Sequence, residues 1–360
     1  MTFDPETPYN DLPVLPPKEQ VETSVVLKKA IGAARALAEL KGLGQTIPNQ
    51  AMLVDSVVLQ EAKDSSAIEN IFTTNDVLFR SYAAKTSHID SATKEVLRYR
   101  EALWEGFETL KSRPVLSTNL LISIVQRIKE NSAGIRNVPG TVIASGATGE
   151  TIYTPPEGEE VLRDKLSNLE QFMHADDGME PLVKLALIHY QFEAIHPFAD
   201  GNGRTGRVLG ILFLTYKGLL DLPVLYLSRY IVEHKQDYYV LLRGVTERGA
   251  WEPWILYMLD AVEQMSMMTR DRILAIRALM GQTMELVRTR LPKIYSKELM
   301  ELLFRQPYTK GQFIVDAGIA KRQTAAEYLK GLEMLGVLKA QRVNKETLYL
   351  NVGLYELLSR

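Results

Sequence analysis

The sequence predicts a mainly α-helical protein with one β-hairpin and a small C-terminal module. Apolar residues recur at helical spacing over long segments, among them 24–43, 91–110 and 117–131. The period changes to short β-like runs at 141–144 and 151–154, which flank a glycine-containing loop and favour a hairpin. From residue 293 onward, three helical segments precede two short β-like runs around Asn344 and Lys345, an order typical of a winged helix.

Composition excludes several classes of protein. The chain has 360 residues, 46% of them hydrophobic and 24% charged, which is enough for two or three globular domains. A net charge of −2 gives no whole-chain attraction to nucleic acids or membranes. Cysteine is absent, so disulfides and thiolate metal sites are excluded. The N-terminus lacks the pattern of a signal peptide, and no apolar run reaches the ~20 residues of a membrane span, so we expect a cytoplasmic protein.

The N-terminal segment is rich in proline. Five prolines among the first seventeen residues forbid a helix and favour an extended strap along the protein surface. The helical pattern of 24–43 follows and is expected to end at Gly42 and Gly44.

One short stretch concentrates polar chemistry between apolar segments. Residues 196–207 read His-Pro-Phe-Ala-Asp-Gly-Asn-Gly-Arg-Thr-Gly-Arg. Gly201, Gly203 and Gly206 can adopt positive φ and turn backbone N–H groups toward an anion. The apolar run that begins at Val208 predicts a helix, whose positive end would lie at this nest.

The charged side chains of this stretch suit a nucleotide. Arg204 and Arg207 lie three apart, so both can grip phosphate oxygens. Asp200 is a hard oxygen ligand suited to Mg²⁺, which takes few protein carboxylates together with substrate phosphates. His196 is the side chain best suited to take a proton from an attacking hydroxyl near neutral pH. Together these residues indicate nucleotide phosphate transfer.

Two other phosphate-binding motifs fit this stretch less well. The spacing of Gly201, Gly203 and Gly206 also satisfies the dinucleotide-binding pattern, but that pattern has meaning only after a strand. Residues 181–195 have helical composition and length, which favours helix–loop–helix. A Walker loop is excluded because no Gly-Lys-Ser/Thr follows at the required spacing.

The stretch 196–207 resembles the Fic family signature, His-x-Phe-x-Asp/Glu-Gly-Asn-Gly-Arg-x-x-Arg, at every fixed position. The resemblance implies a helical core that moves AMP from Mg·ATP onto a Ser, Thr or Tyr hydroxyl of a protein. It implies that His196 is the general base and that Asp200 holds Mg²⁺. Arg204 and Arg207 would bind the outer phosphates. The remaining phosphate contacts would come from the loop, through Gly201, Asn202, Gly203, Thr205 and Gly206.

A second motif lies at residues 65–70, Ser-Ser-Ala-Ile-Glu-Asn. Ser65 and Glu69 share a helical face, which by itself also fits a solvated helix end. The six residues match the inhibitory motif of the Fic family, placed N-terminal to the signature as in its second class. The resemblance implies that Glu69 pairs with Arg207 in the place of the γ-phosphate. Such a pair, worth about 1.5–3 kcal/mol, would lower activity by about one to two decades.

The resemblance also assigns the hairpin and one tyrosine. The hairpin would be a flap that aligns a target segment by strand addition, with Ile152 and Tyr153 clamping the target side chain. Tyr239 falls where related chains place a ring beside the adenine. Packing in the core is the alternative for all three side chains.

Four regions follow from these patterns. Residues 1–110 form the strap and N-terminal helices with the inhibitory motif, and 111–260 form the Fic catalytic core. A helical connector, 261–292, has methionines that suit a dimer surface or ordinary core. Residues 293–360 form the winged-helix-like domain. From Lys293 onward 11 Lys or Arg stand against 7 Asp or Glu, about +4, which leaves −6 for the rest.

We therefore expect a Mg²⁺-dependent protein adenylyltransferase that uses ATP. Another Fic chemistry, either phosphotransfer or removal of AMP, remains open because a fold does not fix its chemistry. The alternative from a different class is a DNA-binding regulator that uses the Fic core as a nucleotide sensor. In it the helix that opens with Lys321, Arg322 and Gln323 would contact DNA.

Overall fold

Helices dominate the structure, which confirms the predicted mainly α fold class. The computed structural model describes residues 3–45, 50–84, 89–146, 148–343 and 346–359, with all side chains except those of residues 45 and 50–56. Its helices are α1 (Ser24–Gln45), α2 (Gln50–Ile68), α3 (Asn75–Ala84), α4 (Ser91–Ser112), α5 (Thr118–Lys129), α6 (Glu159–His174), α7 (Pro181–Ile195), α8 (Asn202–Tyr216), α9 (Leu227–Glu233), α10 (Lys235–Arg248), α11 (Trp251–Arg290), α12 (Lys297–Phe304), α13 (Gly311–Asp316), α14 (Arg322–Met334) and α15 (Val352–Ser359). Its strands are β1 (Ile143–Ala144), β2 (Thr151–Tyr153), β3 (Tyr308–Thr309), β4 (Leu338–Val343) and β5 (Glu346–Asn351).

Helix α7 lies at the centre of the fold. From Leu182 to Ile195 every residue except Glu193 is buried. A helix that is apolar all round can be covered only by neighbours on every side, and α6, α8, α1 and α11 supply that cover. The residue that follows α7 is His196, so the central helix delivers this side chain to the end of the core.

The long helix α11 differs from the prediction. The helical patterns of residues 245–259 and 260–290 predict two helices, but Trp251 to Arg290 form one helix of 40 residues. The break lies earlier, where Gly249 caps α10 at a φ of 63°. No proline or glycine interrupts 254–280, so the helix continues from the core to the C-terminal module. Helix α1 also runs through Gly42 and Gly44 to Gln45.

The N-terminal strap contains no helix over residues 3–23, as predicted, but it includes turns, and side chains of α6 and α7 fix it. Asn168 accepts from the N–H of Leu15 at 2.8 Å and donates to its carbonyl at 2.9 Å. Gln191 donates to the carbonyl of Pro13 at 2.8 Å. Leu12 and Leu15 are buried, so the strap contributes to the core.

The predicted hairpin is present. Strands β1 and β2 pair antiparallel, with Ile143 opposite Tyr153. The N–H of Tyr9 in the strap donates to the carbonyl of Thr154 at 3.0 Å, so strap and hairpin are joined. The connecting loop contains residue 147, which lies outside the described residues.

The C-terminal module has the predicted order of elements. Helices α12, α13 and α14 precede a hairpin of β4 and β5, and the sheet order is β3-β5-β4. The predicted turn at Asn344 and Lys345 lies outside the described residues. Across the described chain, no helix has the length and apolarity needed to cross a bilayer.

Candidate active site

The loop between α7 and α8 is shaped by two residues with positive φ. His196 caps α7 in the left-handed region, at φ 48° and ψ 57°. Gly201 precedes α8 at φ 86°. The helix begins at Asn202, six residues before the predicted start at Val208, and Gly203 and Gly206 are helical. The prediction of a nest with three positive-φ glycines was therefore wrong, since only Gly201 needs that conformation.

Asn202 closes this loop with its side chain. Its Oδ1 accepts from the N–H of Phe198 at 2.8 Å, and its Nδ2 donates to the carbonyl of the same residue at 2.7 Å. Both polar ends of the buried amide are therefore used inside the protein. The predicted direct role in phosphate binding is corrected to one of shaping the loop.

The start of α8 holds a carboxylate where a phosphate was expected. Arg207 Nη2 donates to Glu69 Oε1 at 2.7 Å and to the Ser65 carbonyl at 2.8 Å, and its Nε donates to Ser65 Oγ at 2.8 Å. A Cβ added to Gly203 would lie 2.2 Å from Glu69 Oε1. The Glu69 carboxylate therefore lies directly against the backbone of the first helical turn.

Charge stabilises this contact. Burial works to raise the pKa of Glu69, but the guanidinium of Arg207 holds it below its ordinary value. Burial works to lower the pKa of Arg207, but the carboxylates of Glu69 and Glu193 outweigh burial and raise it above its ordinary value. Both partners are therefore ionised at neutral pH, and Arg207 is almost fully buried. A buried charge that lost its partner would be costly.

Arg204 points to a different partner. Its side chain is 1% exposed and donates to Glu95 of α4 at 2.5 Å. Lys129 of α5 joins the same carboxylate at 2.8 Å and reaches Asp200 Oδ2 at 2.6 Å. The result is a chain of alternating charges across three elements, with Asp200 at its solvent-facing end.

The predicted magnesium ligand suits a cation shared with a nucleotide. The Asp200 side chain is 64% exposed and already attracts the ammonium of Lys129. Burial works to raise its pKa, but Lys129 keeps it below the ordinary value. The described residues contain no group of three or more acidic or histidine ligands. Mg²⁺ commonly uses one or two carboxylates and completes its shell with phosphates and water. The single carboxylate of Asp200 therefore fits this ion.

His196 is partly exposed, while its Nδ1 is enclosed by the protein. Burial lowers its pKa to about 4, opposed by the Glu193 backbone and assisted by the Arg136 guanidinium. The carboxylates of Glu69 and Asp200 also work to raise it. The imidazole is therefore neutral at pH 7, which is the form that accepts a proton.

Glu193 of α7 lies against the first two turns of α8. A Cβ added to Gly206 would lie 2.5 Å from its Oε1, so Gly206 permits close packing of α8 on α7. The predicted phosphate contact of Gly206 stays a prediction. Burial raises the pKa of Glu193 to about 7, opposed by Arg207.

Three other predicted site residues have mixed outcomes. Thr205 is fully buried, and its predicted phosphate contact stays a prediction. The hydroxyl of Tyr153 donates to the Ala194 carbonyl at 2.7 Å and its ring contacts Phe3, so it anchors the hairpin instead of clamping a target. Ile152, beside it, is partly exposed.

Tyr239 lies near the contact between Glu69 and Arg207. Tyr239 is 47% exposed, and the centroid of its ring lies 5.1 Å from that of Tyr238. Partial burial and the Glu69 carboxylate raise its pKa to about 12. The exposed ring near Glu69 and Arg207 is compatible with the predicted adenine contact, which stays a prediction.

Sequence reasoning missed Glu95, Lys129, Arg136 and Glu193. Glu95 lies in a helical pattern rich in charged residues, where nothing separates a buried ion pair from a solvated one. Glu193 is the exception that offered a signal, because it is a charged residue within an otherwise apolar helix next to the signature.

Three family models match the chain. The Fic/DOC family N-terminal model matches residues 27–108 and the Fic/DOC family model matches residues 115–214. The C-terminal domain of SoFic-like protein adenylyltransferases matches residues 279–354. The first two matches cover the inhibitory motif and the signature, and the third covers the C-terminal module.

Named relatives agree with these matches. Protein adenylyltransferase fic-1 of Caenorhabditis briggsae is 32% identical over 108 residues, which are 29% of this chain and 20% of that protein. Protein adenylyltransferase Fic of Culex quinquefasciatus is 32% identical over 111 residues, 30% of this chain and 21% of that protein. The chain thus matches about a fifth of the length of these curated relatives.

Solved structures show the same fold. A Fic family protein from Desulfovibrio desulfuricans matches 94% of this chain and 98% of its own, with a TM-score of 0.59 at 18% identity. Fic-1 from Caenorhabditis elegans matches 69% of this chain and 73% of its own, with a TM-score of 0.53 at 19% identity. With family models over both the inhibitory motif and the signature, the chain belongs to the Fic/DOC family.

Proposed function

We propose that this protein is an autoinhibited protein adenylyltransferase that transfers AMP from ATP to a hydroxyl side chain of a target protein. One observation carries the proposal. A carboxylate, Glu69, lies against the first turn of α8 and is held by Arg207, next to a neutral imidazole. An anion site at a helix N-terminus beside a general base is the arrangement that transfer of a nucleotide requires.

The proposed reaction is a displacement at the α-phosphorus of ATP. The target hydroxyl loses its proton to His196, and its oxygen forms a bond to the α-phosphorus. The bond from that phosphorus to the bridging oxygen of the β-phosphate breaks, and pyrophosphate leaves. The N–H groups at the start of α8 and the guanidinium groups stabilise the phosphate charge. Mg²⁺ held by Asp200 would neutralise phosphate oxygens.

Autoinhibition follows from the position of Glu69. Its carboxylate takes the hydrogen bond and the space that a terminal phosphate would take beside Gly203 and Arg207. Two anions cannot share one guanidinium and one helical turn without repulsion. ATP would therefore bind weakly, or with its phosphates displaced, until the end of α2 moves.

Comparing two labels tests the proposal. With Glu69→Gly, label from ATP marked at the α-phosphate is expected on target proteins, and label at the γ-phosphate is not. Replacing His196 by Ala should abolish the signal, because no base remains. Equal labelling by His196→Ala would overturn the assignment of the base. Label from the γ-phosphate alone would favour a kinase-like reaction, and loss of AMP from a modified target would favour the reverse chemistry.

A second candidate function concerns the C-terminal module. Lys321, Arg322 and Gln323 are exposed at the start of α14, where a winged helix contacts DNA. A DNA-binding regulator would bind one sequence preferentially, with affinity that falls steeply as salt rises and survives loss of His196. Substituting Lys321 and Arg322 together by Gln should flatten that salt dependence. Equal affinity for unrelated sequences in the full chain would reject this function.

A further inference from the structure

Arg136 lies beneath the loop that carries His196. Its Nε donates to the carbonyl of His196 at 2.8 Å, and its Nη2 reaches the carbonyl of Ile195 at 3.4 Å. Its own backbone N–H donates to the carbonyl of Pro197 at 2.9 Å. One residue therefore binds three consecutive carbonyls around the proposed base, and its side chain is almost fully buried.

The end of α7 needs such a partner. The last carbonyls of a helix receive no hydrogen bond from within the helix, and they lie at the negative end of its dipole. His196 also holds a left-handed backbone, at φ 48°, which is uncommon for a residue with a side chain. A cation that binds the carbonyls on both sides of this residue favours that conformation over others and so fixes the direction of the imidazole.

The same guanidinium reaches the hairpin. Arg136 Nη2 also donates to the carbonyl of Pro156, just after β2. The hairpin and the His196 loop are therefore attached to one buried cation. Glu157 acts on Arg136 through its charge, but the two residues form no salt bridge within the described chain. The carbonyl oxygens supply most of its hydrogen bonding.

The charge of Arg136 also acts on the imidazole. It works with burial to lower the pKa of His196, against the Glu193 backbone and the carboxylates of Glu69 and Asp200. Its geometry and its charge therefore favour the same outcome, which is a neutral ring held in one orientation.

We propose that Arg136 is a positioning residue for the reaction, which holds His196 in its left-handed conformation and aligns the hairpin with it. This proposal rests on the proposed role of His196 as the general base. Arg136 itself does not touch the reacting atoms.

Two substitutions separate its charge from its geometry, both made in the Glu69→Gly protein. Arg136→Lys keeps the charge and loses the forked contacts. We expect kcat to fall about tenfold to a hundredfold, as for small misplacements of reacting groups, with KM for ATP within about twofold. Arg136→Gln also removes the charge, so the pKa of His196 should rise by about 0.5 to 1.

Histidine NMR measures that pKa without using activity. The protein is labelled with carbon-13 at histidine Cε1, and the His196 signal among the five histidines is assigned with His196→Asn. Tyr153→Phe is the matched control, because it removes a hydrogen bond to Ala194 on the same helix end without removing a charge. It should lower Tm and leave the His196 pKa unchanged.

The outcomes are decisive in both directions. The proposal is overturned if Arg136→Gln leaves the pKa of His196 unchanged and both Arg136 variants lose no more kcat than Tyr153→Phe at a similar Tm. If Arg136→Gln does not fold, Arg136→Lys decides alone, and parental kcat in that variant would overturn the proposal. An active His196→Ala would reject the base, whereas the histidine titration would still report on Arg136.

Discussion

Arg204 and Arg207 belong to one motif and to the first two turns of one helix, but different regions of the molecule neutralise them. Arg204 is paired with Glu95 of α4, inside a charge chain that includes Lys129 and Asp200. Arg207 is paired with Ser65 and Glu69 at the end of α2. One arginine is held by the core of the fold and the other by a segment that ends in a turn.

Under the proposed autoinhibition, this difference separates a structural charge, Arg204, from a regulated one, Arg207. Releasing Arg204 would leave Glu95 and Lys129 to rearrange between two packed helices. Releasing Arg207 from Glu69 requires only that the residues after Ile68 move, and the Glu69 side chain is already 35% exposed. We infer that Arg207 is the arginine through which the site is switched.

The largest expected effect compares the two arginines directly. In the Glu69→Gly protein, Arg207→Ala should lower labelling by about 10²–10³, as for loss of one donor to a transition-state oxyanion. Arg204→Ala should lower labelling as well, but it should also lower Tm by about 2–4 °C for each kcal/mol lost, because Glu95 loses a buried partner. Thermal unfolding provides the check. An equal change of Tm in the two variants would contradict the distinction.

The next effect concerns the two carboxylates. Glu69→Gly should raise the rate of labelling by about ten- to a hundredfold, the equivalent of the charged hydrogen bond it removes. Glu95→Gln is the matched control, since it weakens the partner of the other arginine. The initial rate with α-labelled ATP is the measurement. A rise of similar size with Glu95→Gln would show that release of either arginine activates the site.

A smaller effect is expected at Ser65. Ser65→Ala removes the acceptor of Arg207 Nε, worth about 1 kcal/mol, so labelling should rise about fivefold. The adjacent Ser66 is a matched control because it is equally buried and its Oγ has no hydrogen-bond partner within the described chain. Ser66→Ala should leave the rate unchanged. Equal effects of the two substitutions would attribute them to helix packing.

The smallest expected effect concerns pH. Arg207 keeps the pKa of Glu69 below its ordinary value, assisted by Arg204, so Glu69 remains charged at pH 5. The contact is lost only as pH falls through that lowered pKa. Glu193, with a pKa near 7, becomes neutral on acidification and ceases to compete for Arg207. The ratio of Glu69→Gly activity to parental activity should therefore not fall between pH 7 and pH 5. A ratio that approaches one at pH 5 would contradict this assignment.

Much of the fold could be predicted because its signals are local. The proline strap and the hairpin near 141–154 follow from residue types at fixed spacing, and the structure contains both of them. Helix α6 was not predicted, and α11 was divided in two. Whether a helical pattern continues past residue 260 depends on packing with α1, which the local pattern does not reveal.

The site was predicted where a motif fixes both residue type and spacing. His196, Glu69 and Arg207 come together as the resemblance implied. Thr205, Tyr153 and Asn202 lie within or near the motifs too, but the direction of a side chain depends on which helix face meets the core. Glu95 and Arg136 could not be found, because their partners lie 109 and 60 residues away in the chain.

Calorimetric titration with two nucleotides tests most directly whether Glu69 occupies the place of the terminal phosphate of ATP. ATP and ADP should bind the parent with similar affinity, because the position of the third phosphate is taken. Glu69→Gly should tighten ATP by about tenfold or more, since a charged hydrogen bond to Arg207 is regained, and change ADP little. An equal gain for both nucleotides, or no gain for ATP, would contradict the account.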